Sequence, residues 1–591
     1  MLRASLLSGL VVGQAATISI VQGNHAARIV LPFWIASLVS ATLLFTRRSD
    51  WSAIRSLRLP RLDLAIVTAL TVLAAALRLP NLERLPSGIH GDEGEFATVG
   101  LAIANGDGPP LFGVAFLDDP AAYPHLLAAF INVFGADMAA VRLPSALFGI
   151  ATISILYALV QMLAGRIPAS LATFLLATSA VHIHFSRLAI NVIEVPFFAC
   201  LSLLLLVAGI QRRRFVFIFL SGVAGGMVVY FHFGGRLLPL ILALALMSQL
   251  LVERTGIRRS LQMIGTAALG GLMALSPLLA HLANRPELLT GHVAGRGIWN
   301  YWDTLAEQYS TTPSNRVGIL WQQFRTTLSA FTTEPDPFRG AQFFRFMDAP
   351  LLTAPIAALA LIGLVILCLN PCRLANSIII IWFVAPVILA STLTDTAGQA
   401  HRLINPLLPA IIAAVLLIDR FIRVAQRHAP QRAANAVAVA LVVVVLACGS
   451  WDGSRYAEPW ITDKISPAHT AQARCLEALP YGTVALVAGA PFIHADHGPS
   501  RYLGNHIDRS DLEGAIPSDL NTNQNPVIIV IHEWEIQRLT ELLELYPSAE
   551  VVEIERPPGT RAITVAGLPN DGFDINAILN ACRHNAASDP E

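Results

Sequence analysis

The feature that most constrains this chain is a repeated apolar run. Charge is scarce and gathers in short clusters. Between the clusters lie stretches of about 17–22 residues, such as "LAIVTALTVLAAALRLP", long enough for a helix to cross roughly 30 Å of hydrocarbon. About thirteen such runs are read, near residues 3–21, 28–46, 62–80, 142–163, 167–185, 188–210, 215–233, 236–252, 260–282, 351–369, 374–393, 403–419 and 433–450. Of 591 residues, 54% are hydrophobic and 14% charged, against roughly 25% charged in soluble domains. The expected fold is an α-helical polytopic membrane protein with about thirteen transmembrane helices.

Basic and acidic residues number 40 each, so bulk charge offers nothing to nucleic acid. Lys464 is the single lysine. A Walker-type phosphate loop needs a lysine after its glycines, which disfavours a nucleotide-driven pump. Cys200, Cys368, Cys372 and Cys448 lie in or beside apolar runs and read as buried small hydrophobes. Cys475 and Cys582 lie in the polar C-terminal region and could pair if that region is exported, although spacing alone fixes no bridge.

Arginine placement orients the runs. Arg47, Arg48, Arg55, Arg58, Arg61, Arg166, Arg212, Arg213, Arg214, Arg254, Arg258, Arg259, Arg373, Arg420, Arg423, Arg427 and Arg432 fall in alternate loops, which are expected in the cytoplasm. The N-terminus is then inside and the C-terminus outside. Residues 1–61 form two spans and a basic loop, and 62–450 a membrane module with outer loops 81–141 and 284–350. Residues 451–591 change composition: "TVALVAG", "PVIIVIH", "AEVVEIE" and "RAITVAG" are β-prone, and "EIQRLTELLELY" has helical spacing. They read as an extracytoplasmic α/β domain. The aromatics of 284–350 suit helices lying at the membrane surface.

The first outer loop gathers acid in "SGIHGDEGEFATVG", with Asp92, Glu93 and Glu95. Asp92 sits where an N-cap is expected, and Glu95 three positions later resembles a capping box. Capping accounts for one Asp and one Glu but not for a third acid. Asp107 and Asp137 read as solvated loop acids. Opposite stand arginines on the cation-poor side: Arg142, Arg187, Arg236 and Arg402, the last three near His182, His184, His232 and His401. One such arginine would be read as snorkelling to headgroups. Several at one face, opposite a carboxylate cluster, equally suit a cavity that binds an anion. A planar guanidinium matches phosphate oxygens, and a carboxylate can deprotonate a hydroxyl.

Four segments, "GDEGEFA", "VRLPSALFG", "HFSRLAINVIEVPFF" and "HRLINPLLPA", resemble the polyprenyl-phosphate-sugar-dependent transferases of the GT-C class. That superfamily includes protein O-mannosyltransferases and lipid A aminoarabinose transferases. The resemblance covers about residues 62–420, so the two spans before residue 62 are extra. It implies Asp92 as the catalytic carboxylate with Glu93 beside it, a polyprenyl-phosphate-linked sugar donor, and inversion at the anomeric carbon. The sequence departs from the common His-Pro-Pro segment with "LDDPAAYPHLLAAF", and near the second outer loop offers only Asn191 and Glu194.

The resulting expectation is a glycosyltransferase of the cytoplasmic (inner) membrane that acts at its outer face on a lipid, glycan or protein acceptor. Asp92 is the base, and Glu93 orients the acceptor or stabilises positive charge. Arg187, Arg236, Arg402, His232 and His401 hold the donor phosphate. Asp118, Asp119, Tyr123 and His125 line the acceptor entrance or form a plain loop. Glu95 and Glu194 are further acids of unassigned role. No cofactor or metal site is assigned, although a divalent cation is compatible with the acids: His182 and His184 do not share a helix face, and "HADH" (494–497) has no further ligand set. The alternative is a lipid or sugar transporter or flippase, disfavoured by the lack of paired repeats.

Overall fold

The computed structural model of the chain describes residues 2–22, 27–46, 60–252, 256–285, 295–332, 350–456, 467–518, 520, 525–556, 560–570 and 572–587. Arg47, Arg48, Arg55, Arg58 and Arg254 of the orientation pattern lie outside the described residues, as does "AQFFRFMD" of the second outer loop.

A helix lies on each apolar run. Five are long and apolar enough to cross a membrane: Met138–Ala164, Glu194–Arg212, Ile257–Ala283, Leu374–Thr392 and Gln431–Arg455. Arg166–Thr178 and Ala180–Ser186, bent by 60°, make a sixth if they are one span. Large apolar side chains such as Val72, Leu272 and Val439 are exposed on the helices, where lipid takes the place of a protein neighbour. The chain is a multi-pass membrane protein in which five or six described helices meet the crossing requirement by themselves. The expected count of about thirteen is not established by that measure.

The bend after Thr178 is held by a neighbouring helix. Asp452 accepts a hydrogen bond from the Ala180 N–H at the break (3.3 Å). Beyond Ser186 the chain runs through 187–193 without regular helix, yet wholly buried. Irregular backbone at such depth is tolerated where protein groups satisfy it. These residues meet the first outer loop, whose helices are Gly91–Ala104 and Ala122–Phe134. The second outer loop contributes Trp302–Gln308 and Arg316–Thr332.

The C-terminal region folds around a five-stranded sheet: β1 (Val484–Ala488), β2 (Asp508–Asp511), β3 (Val527–His532), β4 (Glu550–Glu555) and β5 (Arg561–Gly567), in the order β2-β1-β3-β5-β4. β1 runs parallel to β2 and β3, with Ala485 opposite Ile528, and the other two pairings are antiparallel. β3 is buried along its whole length, which explains its unbroken apolar "VIIVI". One face packs on Cys475, Leu476, Ile578 and Leu579, and the other on Leu542. Cys475 and Cys582 form a disulfide that joins the Pro467–Ala478 and Ile575–Ala586 helices. Of the other cysteines Cys200 is buried as expected, Cys448 is half-buried, and Cys368 and Cys372 are exposed, the first at the end of the Ala354–Cys368 helix and the second in the turn beyond it.

This domain rests on the first outer loop. The Gly498–Leu503 helix lies on the Gly91–Ala104 helix so closely that a Cβ on Gly94 would stand 2.1 Å from the Pro499 nitrogen. Glu95 pairs with Arg501, the Ile89 N–H donates to Thr470 Oγ1 (2.8 Å), and Arg474 donates to Glu83 (2.6 Å). Gly94→Ala is expected to destabilise the full chain by about 1–3 kcal/mol. Gly91→Ala, whose Cβ would meet its nearest atom at 3.4 Å, serves as the milder control. Thermal unfolding of the two variants compares them, and equal melting would contradict the close contact.

Candidate functional site

The Gly91–Ala104 helix is capped earlier than the sequence suggests. His90 is the N-cap: its Nδ1 accepts from the Asp92 N–H (3.0 Å), and Glu93 Oε2 accepts from the His90 N–H (3.3 Å). His90 and Glu93 thus form the capping box expected of Asp92 and Glu95. Asp92 is half-buried, and among the described residues its carboxylate makes no hydrogen bond or ion pair.

Glu93 is fully buried. Its Oε1 accepts from Arg142 Nε (2.7 Å) and the Ala189 N–H (2.9 Å), and its Oε2 also from Arg142 Nη2 (3.0 Å). Arg142, equally buried, donates further to the carbonyls of Leu82 and Pro86 (both 3.0 Å) and Gly88 (3.4 Å). Such a forked, charge-assisted pair is strong when every polar atom is used. Glu93 therefore ties three segments together, and a role touching the acceptor does not fit its enclosed position. Asp137, expected as a solvated loop acid, caps the Met138–Ala164 helix that carries Arg142, accepting from the Ala140 N–H (2.7 Å).

Arg187, expected on the donor phosphate, is 3% exposed. It donates to the carbonyls of Leu77 (3.2 Å), Pro80 (2.6 Å), Asn81 (3.3 Å) and Leu85 (3.1 Å). Its hydrogen bonds hold the turn out of the Arg61–Arg78 helix, so its charge reaches a ligand only as a field. Arg78 is likewise buried and bonded to carbonyls, Ser186 and His182. Neither guanidinium has a carboxylate among these partners.

Arg402 sits at the start of the Ala400–His428 helix. Its Nη1 and Nη2 each lie 3.1 Å from Asp395 Oδ1, while Arg296 from the second outer loop reaches Asp395 Oδ2 at 2.9 Å. Two guanidinium groups thus share one carboxylate. His401 lies within electrostatic reach of Arg402, His232, His90 and Arg296, which gathers these groups at one end of the molecule.

Asp119 is 5% exposed. Its Oδ2 accepts from Asn191 Nδ2 (2.7 Å) and lies 3.8 Å from His232 Nδ1. Arg236 is also within electrostatic reach of Asp119. The loop leading to it is strained, with Leu117 at φ 56° and Asp118 at φ 60°. Asp118 is exposed. Tyr123 is buried with its hydroxyl on Ser145 Oγ (2.9 Å), and His125 bonds the Pro109 carbonyl (2.9 Å). Both have structural partners rather than an open entrance. Glu95 is held by Arg501, and Glu194 is fully buried at the start of its helix. Among the described residues no group of three or more His, Cys, Asp or Glu side chains is arranged to hold a metal ion.

Several members of this constellation escape sequence reasoning. Arg296 and Asp395 are 99 residues apart. His90 is an uncommon N-cap. The C-terminal domain adds His497, whose ring lies 3.4 Å from where a Gly91 Cβ would be, and His469, whose ring centre is 4.1 Å from that of His497.

The buried Arg142–Glu93 pair and the histidine junction each make a prediction. Arg142→Met strands a buried carboxylate and is expected to cost about 3–5 kcal/mol; chemical denaturation measures it, and a loss under about 1 kcal/mol would contradict the pairing. At the junction, burial first and then His497, His532 and His90 hold His469 at about 3, and burial first and then His90, His494 and Arg501 hold His497 at about 4, both from 6.5. An undocked chain takes up these protons from about pH 6.5, and the docked one does not. Docking thus weakens as pH falls from about 6.5 towards 4. Glu95, raised mainly by burial, acts in the opposite sense, but it is one group against two. Amide exchange of residues 91–104 is expected to speed up beyond its intrinsic pH dependence over this range.

Comparisons with known proteins fit this architecture. Residues 118–281 match the family model described as dolichyl-phosphate-mannose-protein mannosyltransferase. No curated protein matches the chain in sequence. Among solved structures, ArnT from Cupriavidus metallidurans bound to undecaprenyl phosphate is similar at 16% identity, over 88% of this chain and 98% of its own, with a TM-score of 0.50. The Archaeoglobus fulgidus oligosaccharyltransferase tethered with an acceptor peptide is similar at 12% identity, over 83% of this chain and 69% of its own, with a TM-score of 0.47. The S. cerevisiae protein O-mannosyltransferase Pmt1-Pmt2 complex bound to the sugar donor gives 16% identity, over 40% and 34%, and a TM-score of 0.32.

Proposed function

From the GT-C glycosyltransferase fold that this chain has, we infer that it moves a sugar from a polyprenyl-phosphate donor to an acceptor hydroxyl. We place the reaction at the outer face of the cytoplasmic membrane, with inversion. The observation that carries the reading is the contrast between two adjacent carboxylates. Glu93 is enclosed and committed to Arg142, whereas Asp92, the residue before it, is half-buried and has no hydrogen-bond partner for its carboxylate among the described residues.

In this mechanism the acceptor hydroxyl donates to Asp92, which takes its proton as the oxygen attacks the anomeric carbon. The bond from that carbon to the phosphate oxygen breaks on the opposite face, and polyprenyl phosphate leaves with the electron pair. The transition state has oxocarbenium character, as in other glycosyl transfer. Arg402, Arg296 and Arg236 stabilise the departing phosphate, His232 and His401 stand beside them, and the fields of Arg187 and Arg78 add to theirs. Donors aimed in advance are worth roughly 3–4 kcal/mol each in other enzymes. Glu93 acts as a positioning residue: it fixes the helix turn that presents Asp92.

Two further features support the reading. A shallow apolar recess is lined by Leu328, Phe331, Leu364, Phe383 and Ala410. Ala410 lies on the same helix as Arg402, roughly 12 Å further along it, so an isoprenoid tail can run down from a phosphate held at Arg402. The Cys475–Cys582 disulfide suits an oxidising, extracytoplasmic compartment.

Purified protein incubated with a panel of polyprenyl-phosphate sugars is expected to release polyprenyl phosphate. Asp92→Asn should lower that release by about 10²–10⁴-fold while donor binding persists. Turnover equal to wild type would remove Asp92 from the base role. Absence of release from any donor would favour a transporter.

A further inference from the structure

The C-terminal domain carries an aromatic surface that the reaction above does not use. It lies at the carboxyl ends of β1 and β3, the end of parallel strands where α/β sheets commonly receive ligands. Phe492 follows β1 and is 70% exposed, and Trp534 follows β3 and is 37% exposed. Their rings stand 5.5 Å apart at 88°. Trp534 is fixed from two sides. Its Nε1 donates to the Gly489 carbonyl (3.0 Å), and its ring stacks on His532 at 4.9 Å and 17°. His532 is itself held by Gln472 (2.6 Å). Trp534 is thus held in place with part of its ring in solvent, beside the exposed Phe492.

The polar rim selects the ligand's chemistry. Asp496, Asp511, Glu533 and Glu535 lie at the same strand ends, in or beside the segments that carry the rings. The two arginines there are each paired, Arg509 with Asp496 (3.0 Å) and Arg538 with Glu535 (2.7 Å). His494 pairs with Asp511 (3.1 Å). The rim therefore offers hydrogen-bond acceptors and an acidic surface, which repels anionic lipid headgroups and nucleic acid. A pyranose has the matching chemistry: an apolar C–H face to lie on an aromatic ring, and hydroxyls around its edge to donate to carboxylates.

Beneath the rings, a buried hydrogen-bond chain leads to the docking interface. Gln472, which holds His532, also donates to Ser500 Oγ (2.9 Å) and to the His494 carbonyl (3.1 Å). Ser500 belongs to the Gly498–Leu503 helix, which lies on the helix of Asp92, and His497 precedes it against Gly91.

We propose that Phe492 and Trp534 form a carbohydrate-binding platform that holds a neutral glycan chain beside the first outer loop. Resting on the transferase reading above, that glycan is the acceptor. The acceptor class is thereby narrowed from lipid, glycan or protein to glycan.

The test uses the full chain in detergent, titrated with a panel of soluble neutral oligosaccharides and read by saturation-transfer NMR and calorimetry. At least one is expected to bind. Phe492→Ala and Trp534→Ala should each weaken it by about tenfold, with donor binding unchanged. Phe492 is exposed enough for its variant to fold, which near-wild-type melting verifies. No binding by any oligosaccharide, or variants that bind like wild type, overturns the proposal. So does a loss confined to flotation with lipid vesicles, which would make the rings a membrane contact. Glycan binding that depends on the two rings, in a protein that releases no polyprenyl phosphate, would keep the platform and overturn the transferase reading instead.

Discussion

The site's geometry depends on one buried ion pair. Glu93 and Arg142 are both removed from water, and each uses the other together with backbone groups from the first outer loop and the irregular 187–193 stretch. A charge pair at such depth has little tolerance for rearrangement, because losing any partner leaves an unsolvated ion. Three segments distant in sequence are thereby fixed against one another. Asp92 takes its position as a consequence, since the same Glu93 that binds Arg142 also closes the capping box on His90. The acid beside it is left for other work.

The end of the molecule that carries these groups separates its charges by partner type. Carboxylates that stabilise the fold are paired with arginine, as in Glu93 with Arg142, Glu95 with Arg501, and Asp395 with both Arg296 and Arg402. Arg78 and Arg187 are solvated by carbonyls, which take up most of their N–H groups without cancelling their charge. The region keeps a positive field inside a low-dielectric surrounding, where such fields are strongest. An anionic headgroup would find that field already in place.

The architecture is largely legible in the sequence, because hydrophobic length and β-propensity are local signals. Each apolar run carries a helix, and four of the five strands fall on the β-prone segments. The strand that escapes, β2, is the polar edge sequence "DRSD", which pairs through its backbone and buries little. The site is legible only in outline. Asp92 and Glu93 stand out by composition, but their division of labour depends on Arg142, which is 49 residues from Glu93. Arg187 resembles Arg402 in sequence context and differs from it in its surroundings, because four carbonyls, one from the end of the Arg61–Arg78 helix and three from the turn after it, converge on Arg187. No local pattern encodes that convergence. The N-cap falls on His90 and not on Asp92 because a histidine ring nitrogen can cap where an aspartate is the commoner choice.

The contact between Gly94 and Pro499 has a bearing on biogenesis. Glu95 and its partner Arg501 are 406 residues apart, so the helix that presents Asp92 is translated long before the segment that covers it. A nascent chain inserts its membrane portion with this face bare, and the covering comes only with the final quarter of the polypeptide. Completion of this contact is in this way coupled to completion of the chain, and a product truncated before residue 498 would keep its apolar helices and yet lack the cover over the Gly91–Ala104 helix.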